Sequence, residues 1–416
     1  MAREGLIAGI DVGTTKVATI VGRTDGAGVQ VVGVGVAPSN GLRKGVVVNL
    51  DETVRSLRDS VRLAERSSGL RVREANVGIT GTHIQSLNNK GLVAVSHRDK
   101  PVNANDVQRV LESARSIAVP QDKQMLHLIP RGYTVDGHRG ITEPVGMHGF
   151  RLDVEAHIIL GEVRPIENLV KCVQSVGVEV RSLVLEPLAT AEATLTTDER
   201  EMGVILADIG GGTTDVAIFR DGGVCHTAVL PVGGNLLSND ISVGLHCPLN
   251  AAEELKIKWG VADPEMIKAH DDIVLPSFGA EQTRKVSRVD LAEIINARIS
   301  ELMEMLDTEV QRAGCQGLLS AGLVISGGTA NLPGIEAVAA DVLKMPVRVG
   351  EPRGVQGLAD TVGNPAFATG VGLLLWNVQP EGDKETRMIN HWSHSGSAWE
   401  RLARRARWRL KELVRR

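Results

Sequence analysis

The sequence predicts an α/β protein of two similar lobes around a cleft, carrying an inserted subdomain and a separate C-terminal helix. Three observations predict it. A strand–glycine turn–strand unit, Asp11-Val12-Gly13-Thr14-Thr15-Lys16-Val17-Ala18, recurs as Asp208-Ile209-Gly210-Gly211-Gly212-Thr213-Thr214-Asp215-Val216-Ala217. Aligned on the aspartates and the Thr-Thr pairs, the second copy holds two additional glycines, Gly211 and Gly212. Such a long-range repeat points to a duplicated domain. Residues 83–160 differ in texture from what flanks them, and residues 399–416 are strongly basic and amphipathic.

Composition sets the outer limits. A chain of 416 residues, 43% apolar and 23% charged, has ordinary globular usage and room for several compact units. Glycine is high at 46 residues, which favours tight turns and close backbone approach to a ligand. Aromatics are only 2%, so the core is aliphatic. The net charge of −4 conceals an asymmetry. Residues 399–416 hold eight basic and two acidic groups, a net of +6, which leaves −10 for residues 1–398. A whole-chain total this close to zero argues against a protein that coats nucleic acid with its whole surface. Cys172, Cys225, Cys247 and Cys315 form no CxxC pair and fit no zinc spacing, so buried thiols in a reducing compartment are expected. No signal-peptide pattern and no run of about 18 apolar residues is present, so a cytoplasmic body is expected.

The elements follow in order. Residues 5–36 read as strand, glycine turn, strand, strand. Residues 51–68 form an amphipathic helix, with Val54, Leu57, Val61 and Ala64 on one face and Asp51 placed to cap its start. Residues 75–80 are a strand. The 83–160 segment has short strands, a helix at 104–117 and six of the eleven histidines. Those histidines show no HxH or HExxH spacing, so surface or hydrogen-bonded roles are expected. Core pattern returns with a strand at 156–163, a helix at 165–176, a strand at 180–187 and a helix at 188–196. Residues 203–224 repeat the strand–turn–strand pattern. A helical region covers about 250–310, broken by a loop near 263–285. Residues 322–335 are strand, glycine turn and helix, and 365–376 a small-residue helix. Residues 379–396 are polar and aperiodic, the composition of a linker.

The two glycine turns carry the chemistry. Glycine admits positive φ and removes the side chain that would block a phosphate. Successive N–H groups then form an anion nest, joined by the Thr hydroxyls. An Asp at the strand end repels phosphate unless a cation intervenes, so Asp11 and Asp208 imply Mg²⁺, held directly or through water. Lys16 suits the β/γ-phosphates. Alone, D-x-G-T-T reads better as an ordinary hairpin; two copies reverse this and favour a polyphosphate clamp. A third glycine turn, Ser326-Gly327-Gly328-Thr329-Ala330-Asn331, lacks Asp and Lys and suits a neutral group.

These motifs resemble the actin-like ATPase superfamily of actin, heat-shock 70 chaperones and sugar kinases. The resemblance covers about residues 5–376 and implies an actin-like duplicated fold with two lobes around a nucleotide cleft. It implies ATP contacts at Gly13, Thr14, Thr15 and Lys16, at Gly210, Gly211, Gly212 and Thr213, and at Gly327, Gly328, Thr329 and Asn331. Glu186 matches the position of the residue near the attacking water; a carboxylate favoured at a helix N-terminus is the other account. Glu253 and Lys256 match the ribose-contacting helix, though an i,i+3 surface pair also explains them.

At the C-terminal end, Ser397 and Glu400 form a capping box. Trp399, Leu402, Ala403, Ala406, Leu410, Leu413 and Val414 fall in one stripe, and basic residues including Arg404, Arg405 and Arg409 fill the rest. Trp408 lies opposite the stripe. A basic amphipathic helix suits an anionic bilayer surface; packing on a partner and nucleic-acid binding are the competing accounts. The continuous apolar stripe disfavours nucleic acid.

Body, insertion, linker and terminal helix together resemble the FtsA family of bacterial cell-division proteins. The strings IAGIDVGTTKVATIVG, KGVVVNLDETVRSLRDSV, ADIGGGTTDVAIFRDG and VISGGTANLPGI carry that resemblance. It implies subdomain 1A at 1–82, 161–200 and 365–378, an inserted subdomain 1C at 83–160, subdomain 2A at 201–240 and 315–364, and subdomain 2B at 241–314. The linker then spans 379–396 and a membrane-targeting helix 397–416. Further implications are ATP with weak or absent turnover, an actin-like filament of the chain with itself, and docking of the FtsZ tail on 2B. Other division proteins would meet 1C, at the cytoplasmic face of the inner membrane and at the septum. A PilM-type pilus-assembly protein shares body and insertion but lacks the tail. A small-molecule kinase leaves the tail unexplained, and a chaperone needs a substrate domain that the residues after Trp376 cannot supply.

Overall fold

The computed structural model describes residues 5–24, 28–95, 101–268, 271–276, 283–376 and 389–390. Two sheets share one plan. In the first, a meander of Gly5–Val12, Lys16–Thr24 and Val29–Pro38 continues on its inner side into parallel strands Glu74–Ile79 and Glu179–Leu185. In the second, Val204–Ile209, Thr214–Arg220 and Gly223–Leu230 form the meander, and Gly322–Ser326 and Val347–Val349 are the parallel strands. Near-continuous burial of the central strands follows from their Val, Ile, Leu and Ala content and from helices on the sheet faces. The core is mostly aliphatic, as the composition requires, with Tyr133, Phe219 and Trp376 buried in it.

The helix over Leu50–Ser68 starts one residue before its expected start. Its cap is Asn49, whose Oδ1 accepts from Glu52 N at 3.2 Å; Asp51 is not the cap. Asn49 has the extended φ of −139° that a cap needs, while Asp51 is already inside the first turn. This helix packs tightly on its sheet. A Cβ on Gly35 would lie 2.1 Å from the Ser60 carbonyl oxygen.

Between Ile79 and the helix Val163–Ser175 the chain builds a separate unit. Strands Ile84–Ala94, Lys123–Val135, His138–Ile141 and Arg151–Glu162 pack one face on the helix Ala104–Arg115, around their own core. Ile389–Asn390 pairs with the Lys123–Val135 edge. Three of the segment's histidines, His83, His127 and His157, are buried rather than on the surface. His157 bonds to Asn88 at 2.7 Å and to Thr227 at 3.0 Å. With Ser86 donating to the Thr227 carbonyl at 2.8 Å, the unit is tied to the second lobe as well as the first.

The second lobe carries helices Gly234–Gly244, Leu249–Trp259 and Arg288–Arg312. The first of these was not legible in the sequence. Where a loop is expected near 263–285, Asp272–Pro276 pairs with Thr283–Ser287, and buried Ile273 and Leu275 supply the alternation. The linker apart from 389–390 and the helix of 397–416, with Trp399, Leu402, Arg404, Arg405, Ala406, Arg409, Leu410 and Leu413, lie outside the described residues. Among the described residues no helix is long and apolar enough to cross a membrane.

The helices Glu186–Thr194 and Ala368–Leu375 cross at backbone contact: a Cβ on Gly372 would lie 1.7 Å from the Ala189 carbonyl oxygen. Gly372→Ala should therefore destabilise the protein by about 2 kcal/mol or more in urea denaturation, although alanine is the better helix former. A loss below about 0.5 kcal/mol would show that the helices can separate freely.

Candidate functional site

The two hairpin turns meet and together line a cavity of about 390 Å³. Strand register corrects the alignment made from sequence. Asp11 pairs with Ala18, and Asp208 pairs with Asp215. Both turns therefore have the same length, with no insertion in the second. Gly211 and Gly212 stand where Thr14 and Thr15 stand in the first loop, Thr213 where Lys16 stands, and Asp215 where Ala18 stands.

The glycines have a steric reason. A Cβ on Gly211 would lie 2.0 Å from Thr15 Oγ1, and one on Gly212 would lie 2.6 Å from Thr14 Oγ1. Each threonine of the first loop occupies the space that glycine clears in the second. Gly13, Thr14, Thr15, Lys16, Gly210, Gly211, Gly212 and Thr213 all line the cavity. So do Asp11, Glu186, Asp208, Glu253, Lys256, Gly327, Gly328, Thr329 and Asn331. Gly327 sits at φ +85°, with Asp208 and the Ile209 carbonyl where a Cβ would go.

Four carboxylates meet at the floor. Asp11, Asp208, Asp215 and Glu186 are each at most 7% exposed. Thr190 donates to Asp208 Oδ2 at 2.6 Å and Thr369 to the same oxygen at 2.8 Å. Thr80 donates to Asp215 Oδ1, and Thr213 to Asp215 Oδ2 at 3.2 Å. Thr80, Thr190 and Thr369 belong to the first lobe and both acceptors to the second, so these bonds cross between lobes.

Burial moves the Asp11 carboxyl up to about 6, with Lys16 opposing and Asp208 adding to the shift. Burial moves Asp215 to about 8 against the Thr80 hydroxyl bond. Glu186 is pushed well above its usual range by burial, then by Asp11, Asp215 and Asp208. Asp208 is raised by burial, opposed by the hydroxyls of Thr190 and Thr369 and by Lys16. Lys16 is lowered by burial.

At the cavity rim, Lys256 Nζ lies 2.7 Å from Glu253 Oε2 and donates to the Gly234 carbonyl at 2.9 Å. The pair thus faces the cavity and is not confined to an outer surface. Sequence reasoning missed Thr80, Asp215, Asn235, Ala366 and Thr369 as cavity residues. Asp215 was visible in the repeat but masked by the two-residue gap. The threonines carry no motif.

Two lobes of one plan, closing on a cleft with two loops at its floor, define an actin-like protein. The solved structure of MreB5 of Spiroplasma citri bound to ADP shares the fold at a TM-score of 0.54 and 14% identity, covering 89% of this chain and 96% of that one. The PilM-PilN type IV pilus biogenesis complex matches at a TM-score of 0.65 and 15% identity, over 91% of this chain and all of the compared chain (100%). Residues 205–372 match the family described as cell division protein FtsA, and residues 81–160 match the SHS2 domain inserted in FtsA. The Pseudomonas aeruginosa cell division protein FtsA is 43% identical over 94% of this chain and 93% of its own length. The chain belongs to the FtsA family of cell division proteins.

The raised carboxyls give a pH dependence. Each acid ionises less readily in the folded chain than in the unfolded one, so the protonated form favours the fold. This contribution is complete below the unfolded values of 3.8 and 4.5 and is lost as pH rises through about 6 for Asp11 and about 8 for Asp215. The protein without ligand should melt at a lower temperature at about pH 8.5 than at about pH 6. Asp215→Asn should flatten that fall, and a melting temperature that is already flat in the parent would contradict the assignment.

Proposed function

We propose that the cleft binds ATP with Mg²⁺ and that the protein is the membrane anchor and scaffold of a division filament. The observation that carries the nucleotide reading is the pair of opposed glycine turns over four buried carboxylates. Backbone N–H groups of both turns suit phosphate oxygens. The donor set fits a hard divalent cation, because acids this buried ionise together only beside added positive charge. Asp11 and Asp208 would hold that ion directly or through water. When bound, Mg²⁺ neutralises phosphate charge. Gly327–Asn331 would take the adenosine side and Glu253 with Lys256 the ribose. Glu186 would orient water, with turnover weak or absent. The Spiroplasma protein of the same fold is bound to ADP, which agrees with this reading.

The finer assignments extend the family membership. The chain would polymerise with itself, take the FtsZ tail on residues 241–314 and meet other division proteins through residues 83–160. Residues 397–416 would lie on anionic lipid at the cytoplasmic face of the inner membrane, at the septum. Trp399, Leu402, Ala406, Leu410 and Leu413 would enter the bilayer surface, with Arg404, Arg405 and Arg409 at its charge. Each basic residue near such a surface contributes about 1 kcal/mol, and a filament of many tails would bind by avidity.

Two measurements test these parts separately. In calorimetric titration, Asp11→Asn and Asp208→Asn should each weaken Mg-ATP binding at least about tenfold; unchanged affinity in both would remove the cation assignment. Truncation after Gly396 should abolish co-sedimentation with anionic liposomes, and the parent's binding should fall as salt rises. Retained binding by the truncated chain would remove the anchor.

A further inference from the structure

Lys16 lines the same cavity as the buried acids, yet its ammonium is directed elsewhere. Asp11 and Asp208 act on it through space, and no direct ion pair with either is formed among the described residues. Its ammonium instead donates to the Ala366 carbonyl and lies 3.8 Å from the centre of the Phe367 ring. Both partners belong to one short 3₁₀ turn, Pro365–Phe367.

That turn is held to the third glycine loop. The Pro365 carbonyl accepts from Gly327 N and from Ser326 Oγ, each at 3.3 Å. Asn331 and Asn364 exchange side-chain amide bonds at 3.1 and 2.7 Å, and Asn364 Oδ1 also accepts from Ala366 N at 2.9 Å. The element that holds the lysine is thus continuous with the loop on the opposite side of the cavity.

The electrostatics make this arrangement consequential. A free lysine here would be drawn onto Asp11 and Asp208. It would then neutralise the carboxylates suited to a divalent cation and spend its charge before any phosphate arrives. A ring face and a carbonyl attract an ammonium without carrying a full negative charge, so a phosphate can outcompete them. We propose that Phe367 is a positioning residue that keeps the Lys16 ammonium off the acidic pair and available to the phosphates of a nucleotide. The Asn331–Asn364 pair fixes the ring relative to the loop facing the rest of the ligand. This rests on the nucleotide reading of the cleft given above.

The test is calorimetric titration of the full chain with Mg-ATP and, separately, with adenosine, which has no phosphate for Lys16. Phe367→Leu keeps the apolar bulk and removes the ring face. It should weaken Mg-ATP binding roughly fivefold while leaving adenosine within about twofold of the parent. Phe367→Tyr keeps the ring face and should restore Mg-ATP affinity to within about twofold of the parent. Unchanged Mg-ATP affinity in Phe367→Leu would overturn the inference and leave the nucleotide reading standing. Equal losses for Mg-ATP and adenosine would overturn it too, since a merely structural role affects both. A parent that binds neither ligand would remove the nucleotide reading and this inference with it.

Discussion

The site depends on one electrostatic constraint: four acids are buried together beside Lys16, and that lysine is held on a carbonyl and a ring face instead of on them. Asp208 and Asp215 are direct cross-strand partners, an arrangement that like charges oppose. Without ligand the fold tolerates it by raising the proton affinity of the acids and by donating threonine hydroxyls to two of them. Neither device removes the repulsion among the ionised forms. An added cation would, which makes the ligand part of the electrostatic design of the cleft.

The same hydroxyls join the lobes. Thr190 and Thr369 reach Asp208 because the helices Glu186–Thr194 and Ala368–Leu375 approach to backbone contact through Gly372. Thr80 reaches Asp215 from the end of a first-lobe strand. A second set of bonds ties the inserted unit to Thr227 on the edge strand of the second lobe. Lobe spacing is therefore fixed at the cleft floor and again at the inserted unit. Whatever occupies the cleft acts on contacts that bear on both lobes.

Much of this was legible in the sequence because the chemistry is local. A loop that cradles an anion must have glycine, hydroxyls and a nearby charge within a few residues, so both loops and the third glycine turn could be read directly. Glu186 and the Glu253–Lys256 pair were marked by family resemblance alone, and the fold brings them to the same cavity. Thr80, Thr190 and Thr369 were not legible, since a threonine on a strand end or helix has no sequence pattern that marks its bonding partner. The gap placed in the second loop arose because matching Thr-Thr strings outweighed register, which only strand pairing reveals.

The sequence by itself determined the duplicated plan, the glycine loops, the aliphatic core and the division between an acidic body and a basic tail. Each of these is written in residue type and spacing along the chain. Tertiary structure decided which groups share a space. It made Gly211 and Gly212 the counterparts of Thr15 and Thr14 across the cleft, set Asp215 beside Asp208, and placed Lys16 against Phe367. Those partners are separated by up to hundreds of residues, and their energies depend on burial and on distances of a few ångströms. Neither quantity exists until the chain has folded.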